Sequence, residues 1–292
     1  MPSIDTVEVL LGASYTMTAN VENMTVDTYV YGSSTTLGDW ETPSTGNSLV
    51  SNGLNNVISA SGRGDTVWAN DGNDTVSGNG GNDSIYGGNG DDSLDGGAGN
   101  DRLFGEYGND TLIGTSGDTL TGGYGDDTYV VSPGASIVEY SDQGNDTIRT
   151  LSSWTLGASL ENLELLNDAS ATNGTGNSLG NLITGSNAAN VLSGLDGRDT
   201  IYGEGGNDSI LGGNDVDILN GGEGNDSVYG DAGDDWLSGA PDSVRGGTGI
   251  DIISGNEGND YLNGEGDADG LSGGAYGHAG GHGRQRPALW WR

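Results

Sequence analysis

The sequence predicts an all-β chain assembled from short repeated units. Three observations carry this reading. Aspartate recurs every nine residues over two long stretches, with two shortened units, and an apolar residue follows each of those aspartates by two positions. No segment shows the 3.6-residue hydrophobic period of a sizeable helix. A fixed short period marks a repeat architecture, in which one unit cannot bury its apolar side chain alone and must stack on its neighbours.

The first run is Asp74, Asp83, Asp92, Asp101 and Asp110, followed after a one-residue deletion by Asp118 and then Asp127. The second is Asp199, Asp208, Asp217, Asp226 and Asp235, a shortened unit with Asp242, then Asp251, Asp260 and Asp269. The apolar partners are Val76, Ile85, Leu94, Leu103, Leu112, Leu120 and Tyr129, then Ile201, Ile210, Leu219, Val228, Leu237, Val244, Ile253, Leu262 and Leu271. Glycine stands two positions before the aspartate at Gly72, Gly81, Gly90, Gly99, Gly108, Gly206, Gly224, Gly233, Gly249 and Gly258. A clear unit reads Gly87-Gly88-Asn89-Gly90-Asp91-Asp92-Ser93-Leu94-Asp95.

Composition narrows the function classes. The 292 residues include 58 glycines but only 5 prolines, without a collagen period. Acidic residues number 43 against 8 basic ones, all arginine, for a net charge of −35. Nucleic acid and anionic membrane surfaces need a basic face and are excluded as partners. The absence of cysteine removes disulfides, thiolate metal sites and a cysteine nucleophile. No apolar run approaches the ~18 residues of a membrane span. Residues Met1 to Leu11 lack a basic region, so no cleaved signal peptide is expected. High charge with low hydrophobicity is otherwise the signature of disorder; the repeat register overrides it.

The unit resembles the G-G-x-G-x-D-x-U-x nonapeptide of RTX (hemolysin-type calcium-binding) proteins, in some sixteen units over about half the chain. The resemblance implies a parallel β-roll (a β-helix or solenoid), here as two tandem modules joined by strand-rich segments. Each unit would divide into a six-residue turn and a three-residue strand, so that two units make one 18-residue coil. Same-side turns then stack Asp74 over Asp92, Asp83 over Asp101, and Asp92 over Asp110. Carboxylates ~4–5 Å apart repel by roughly 4 kcal/mol at an effective dielectric of ~20, so such a column needs a cation. By the family pattern, one site would take Asp74 with the carbonyls of Asn70 and Gly72, and Asp92 with those of Gly87 and Asn89. Six flexible oxygens suit Ca²⁺ better than Mg²⁺, which demands a tight octahedron, or zinc and copper, which prefer nitrogen and sulfur. The aspartates of both runs and the glycines before them are thus the candidate ligands of several calcium ions. The units of Asp118 and Asp242, and those where Asp215 and Asp267 replace the expected glycine, are the weaker candidates.

The expected organisation is a degenerate strand-rich segment at 1–68, a first calcium-binding roll at 69–130, a strand-rich connector at 131–193, a second roll at 194–272 and an atypical Gly/Arg/Trp tail at 273–292. The connector holds one isolated unit, Gln143-Gly144-Asn145-Asp146-Thr147-Ile148. Tyr15 to Asn23 parallels Trp154 to Asn162, and Thr45 to Leu49 repeats as Thr175 to Leu179. The tail gathers Arg284, Arg286, Arg292, both histidines and Trp290-Trp291, and does not resemble the C-terminal signal of type I export.

Other signals have plainer readings. Arg63-Gly64-Asp65 coincides with a degenerate unit parallel to Gly197-Arg198-Asp199, and the Asn-Asp-Ser/Thr sequons are repeat positions five to seven. His278 and His282 lie among glycines that oppose a helix. No nucleophile elbow, zinc motif or histidine triad is present, so catalysis is not expected. The function expected is calcium binding by a secreted, extracellular structural or accessory module that folds on binding and leaves the cell by type I export machinery. The alternatives are the non-catalytic repeat region of a larger secreted enzyme or toxin, and a calcium-rigidified adhesin.

Overall fold

A computed structural model describes residues 6–10, 14–16, 23–27, 46, 48–141, 143–167, 172–240, 243–255, 261–265, 268–272 and 278–279. Among these residues there is no helix, and every strand pairing is parallel. The fold is a β-solenoid. The chain divides into two compact units, Met1–Asp146 and Thr147–Arg292.

In the first unit, strand Ser84–Asn89 lies between Thr66–Asp71 and Arg102–Tyr107, with Ile85 opposite Val67 and Leu103. The next strand in sequence, Ser93–Asp95, belongs to another sheet, between Thr75–Ser77 and Thr111–Gly114. Each coil thus gives one strand to each sheet, and the step within a sheet is 18 residues. The reason is the single apolar side chain per unit. A strand alternates its side chains between faces, so Ile85 points inward while Ser84 and Tyr86 flank it. Ile85, Leu94, Leu103, Leu112, Leu120 and Tyr129 are all fully buried. The core is a column one side chain thick from each sheet.

The strands do not all have the expected three residues. Ser93–Asp95 does, but Ser84–Asn89 extends three further, because Gly88 and Asn89 keep pairing with Glu106 and Tyr107. Stacked turns of equal length continue the ladder, which satisfies backbone groups that would otherwise be buried unpaired. The side chains of Trp68, Tyr86 and Phe104, one per coil, stack at centroid distances of 5.9 and 4.9 Å.

In the second unit the same two-sheet arrangement begins in residues that mostly depart from the regular nonapeptide. Strand Asn162–Leu165 pairs with Thr147–Thr150 and with Leu182–Thr184, aligning buried Ile148, Leu163 and Ile183 at unequal spacings. The loops absorb the difference in length while the inward residue keeps its place. Strand Ser227–Ala232 likewise pairs Val228 with Val244 of Ser243–Thr248, although the unit between them is two residues short.

The repeated pentapeptides are not structural counterparts. Leu49 is buried in strand Ser48–Val50, whereas Leu179 is exposed on a turn. The counterpart of Leu179 is Leu54: their backbone N–H groups bond the side-chain oxygens of Asn177 and Asn52, at 2.8 and 3.0 Å. Each turn leads into an asparagine, Asn181 or Asn56, whose N–H begins an aspartate ladder.

Candidate metal centre

In the described turns from Asp65 to Asp251 the aspartate at position six is buried, and a ladder links these residues from coil to coil. Asp74 N–H donates to Asp92 Oδ1 at 2.7 Å, Asp92 N–H to Asp110 Oδ1 at 2.7 Å, and Asp110 N–H to Asp127 Oδ1 at 2.8 Å. On the opposite side of the coil, Asp83 bonds Asp101 and Asp101 bonds Asp118, each at 2.8 Å. In the second unit Asp199, Asp217, Asp235, Asp251 and Asp269 form one ladder, and Asp208 and Asp226 part of another. A second, exposed ladder runs beside the first at position five, from Asn73 through Asp91 and Asn109 to Asp126. It explains why Asn or Asp stands at that position in this run: their short side chains place an oxygen under the next N–H.

One carboxylate oxygen is used by the ladder; the other separates two kinds of turn. In Asp74, Asp83, Asp92, Asp101, Asp110, Asp127, Asp199, Asp217 and Asp235, Oδ2 is buried with no hydrogen-bond partner. The residues four and two before each of these have positive φ, for example Gly88 (116°) and Gly90 (127°) before Asp92. Asp208, Asp226 and Asp251 share that turn conformation. The other kind closes on itself. Asp118 Oδ2 accepts Thr115 N–H at 2.6 Å, Asp65 Oδ2 accepts Ser61 N–H at 2.8 Å, and Asn181 and Asn190 are capped in the same way by Asn177 and Ser186. Left-handed backbone at position two therefore accompanies an open carboxylate oxygen, and ordinary backbone there accompanies a self-capped one. Asn70, Asn79, Glu106, Leu195, Glu204 and Asp231 hold this left-handed conformation without being glycine, at a cost of about 1 kcal/mol or more each.

The open oxygens sit among backbone carbonyls. A Cβ placed on Gly87 would meet both Asp92 Oδ2 and the Gly105 carbonyl oxygen; Gly105, Gly212 and Gly230 face the same pair of atoms in their own turns. Between the turns of Asp74 and Asp92, the Gly72 N–H bonds the Asn89 carbonyl at 2.8 Å. There the Asn70 and Gly72 carbonyls stand against Gly88 and Gly90. A buried carboxylate oxygen with no hydrogen-bond donor, beside carbonyls with spare lone pairs, fits a hard oxygen-seeking cation. Without a cation the carboxylates are poorly tolerated. Burial pushes Asp74, Asp83, Asp92 and Asp217 up from 3.8 to about 7, against the lowering effect of the N–H on Oδ1, and neighbouring carboxylates raise them further. Asp110, Asp199 and Asp235 rise to about 6 for the same first reason.

The structure sets the proposed ligands Asp74, Asn70, Gly72, Asp92, Gly87 and Asn89 in two successive same-side turns. Gly81, Gly90, Gly99, Gly108, Gly206, Gly224, Gly233 and Gly249 all occupy the left-handed position four, where Asp215 also stands with φ of 78°. Asp118 lies in the ladder but in a self-capped turn, because the one-residue deletion brings Thr115 N–H under its carboxylate. Asp269 is partly exposed at the end of its ladder. Asp242, Gly258, Asp260 and Asp267 lie outside the described residues. Sequence reasoning left Asp65 and Asp146 out of the candidate set, yet both are ladder members. For Asp146 the signal was its isolated nonapeptide; for Asp65, the Arg63-Gly64-Asp65 unit.

The RTX calcium-binding nonapeptide repeat (4 copies) matches residues 51–85, 86–118, 105–138, 175–210, 184–219, 211–243 and 245–275. These matches reach into 51–68 and 175–193, where few units keep the full pattern. A search of curated proteins found no match.

Proposed function

The chain belongs to the RTX calcium-binding nonapeptide repeat family, and from that premise we propose that it is a calcium-triggered folding module working outside the cell. The repeats of this family bind calcium. The observation that carries the finer reading is the set of buried Asp Oδ2 atoms without donors, each in a turn with two left-handed residues. Asp74, Asp83, Asp92, Asp101, Asp110, Asp127, Asp199, Asp217 and Asp235 would hold the ions with carbonyls of the stacked turns. A bound ion supplies the positive charge that this site otherwise lacks. The chain's part is to orient one carboxylate oxygen through the ladder N–H and to leave the other open.

Folding and binding are then one event. A net charge of −35 and one buried apolar side chain per unit leave the ion-free chain short of what ordering its backbone costs. Ions that bind only the stacked state shift the balance. Extracellular calcium modules bind at ~10⁻⁴–10⁻³ M, so cytosolic calcium would leave the chain open and calcium outside would close it. Repeats of this family are typical of secreted proteins, which agrees with that direction. No helix among the described residues is long and apolar enough to cross a membrane.

Far-UV circular dichroism during a calcium titration tests this. The chelated protein is expected to be largely unfolded and the calcium form β-rich, with Mg²⁺ at equal concentration giving little folding. An unchanged β spectrum in chelator would overturn calcium-driven folding. A midpoint well below ~10⁻⁶ M would overturn the extracellular reading, because the chain would then close inside the cell.

A further inference from the structure

The last coil of the first unit departs from the repeat at one residue. Strand Ser136–Ile137 pairs with Thr119–Tyr124, with Ile137 opposite Leu120, and Val138 N–H bonds the Leu120 carbonyl at 2.8 Å. Counting on, Glu139 stands beside Gly122, at the position that Gly87 and Gly105 hold in the coils before. Those glycines have no room for a side chain, since an aspartate five residues later fills the space. Five residues after Glu139 the sequence has Gly144 instead, and the turn aspartate, Asp146, comes two residues further on.

The space is used. Ligand oxygens of Asp127, Glu139 and Asp146 lie within 4.8 Å of one another. Asp127 and Asp146 are each 1 % exposed. Asp127 N–H donates to Asp146 Oδ1 at 2.8 Å, and Asp127 Oδ1 accepts Asp110 N–H. Asp127 Oδ2 is buried without a hydrogen-bond partner, and a Cβ on Gly122 would meet both it and the Tyr129 hydroxyl. That hydroxyl accepts Gly122 N–H at 2.7 Å and donates to Glu139 Oε2. Tyr129 is itself fully buried and takes the place of the smaller inward residue of other units. It holds the glutamate carboxylate toward the two aspartates.

We propose that Asp127, Glu139 and Asp146 form a three-carboxylate site for one calcium ion, which closes the end of the first roll. The proposal rests on the calcium reading above and adds a ligand from outside the nonapeptide. An ion 2.3–2.6 Å from each ligand spans oxygens up to roughly 5 Å apart, which matches the cluster; the shorter bonds of Mg²⁺ do not reach as far. Three carboxylates in place of two also give this site more charge than those between inner turns, and ligand charge is what tunes calcium affinity.

The test uses the full chain at calcium just sufficient to saturate its β signal, counting bound ions by equilibrium dialysis and following the signal by circular dichroism. Glu139→Gln keeps an oxygen to accept the Tyr129 hydroxyl but removes the charge. It is expected to hold one ion fewer than wild type, or to need at least ~10-fold more calcium to regain that ion. Tyr129→Phe removes the hydroxyl's bonds to Gly122 N–H and Glu139 but keeps all three carboxylates, and is expected to retain the ion count while losing stability. An ion count and midpoint unmoved by Glu139→Gln overturn the site while leaving the calcium reading intact. A folding defect in Glu139→Gln with the ion count unchanged also overturns it, since the glutamate is then structural only. Loss of one ion, or its weaker uptake, in Glu139→Gln supports it. Failure of wild type to take up calcium would overturn both readings.

Discussion

The backbone N–H of Asp74 donates to Asp92 Oδ1 at 2.7 Å across 18 residues of sequence. One oxygen of each turn aspartate is thereby committed to holding the coil beneath it, and only the second is left for chemistry. Stacking and ion binding are coupled through a single carboxylate, so a substitution there strikes both.

This coupling ranks the aspartates. Asp92 accepts from Asp74 and donates to Asp110, and its Oδ2 is open. Asp118 has its Oδ2 capped by Thr115. Asp92→Ala should lower the number of bound calcium ions and raise the folding midpoint several-fold, because two neighbouring sites lose a ligand. Asp118→Ala should cost stability, about 1–3 kcal/mol from the lost buried hydrogen bonds, with little change in ion count. Ion counting with a calcium titration on both variants checks this; equal losses of calcium would contradict the two-turn distinction.

The left-handed turn residues give a second expectation. Leu195 has φ of 83° and is 46 % exposed, so it stores backbone strain while burying little. Leu195→Gly should stabilise the calcium form by about 0.5–1 kcal/mol, the relief of left-handed strain less the extra chain entropy of glycine. Gly87→Ala should do the reverse and weaken calcium binding, since its Cβ would meet Asp92 Oδ2 and the Gly105 carbonyl. Denaturant midpoints in saturating calcium measure both; a destabilised Leu195→Gly would show that the side chain, not the backbone, matters there.

Acidity should act in opposite directions on the two forms. Asp74, Asp83, Asp92 and Asp217 are raised by burial to about 7 from 3.8. Acids whose folded values lie above their unfolded ones take up protons on folding. Without calcium, the roll's stability from these groups is therefore fully present below about pH 4 and lost as pH rises from there through about 7. In calcium-depleted buffer the β signal should be stronger at about pH 5 than at about pH 8. With calcium present, protons compete for the same oxygens, so the calcium midpoint should climb as pH falls below about 7. Circular dichroism across that range decides it, and an ion-free chain more ordered at the alkaline end would refute the burial argument.

The nine-residue spacing of Asp74, Asp83 and Asp92, with Val76, Ile85 and Leu94 two places on, was enough to read the strands, the inward column and the 18-residue coil. Alternation and period are properties of the chain alone, and only one stacking buries every one of those side chains. The spacing also indicated calcium, because carboxylates and glycines are all that the turns offer. It marked the Asp118 unit as a weaker candidate by its missing residue but could not show how the turn fails: the residue four before the aspartate is left-handed in the open turns and not in the capped ones, where Oδ2 accepts a turn N–H. Nor could it place Glu139, which follows no repeat and reaches Asp127 and Asp146 only because the last coil brings it beside Gly122. Ile148, Leu163 and Ile183 stack at irregular spacing for the same reason. Periodicity encodes what recurs, whereas a contact made once, by a loop of unequal length, exists only when the coils are stacked.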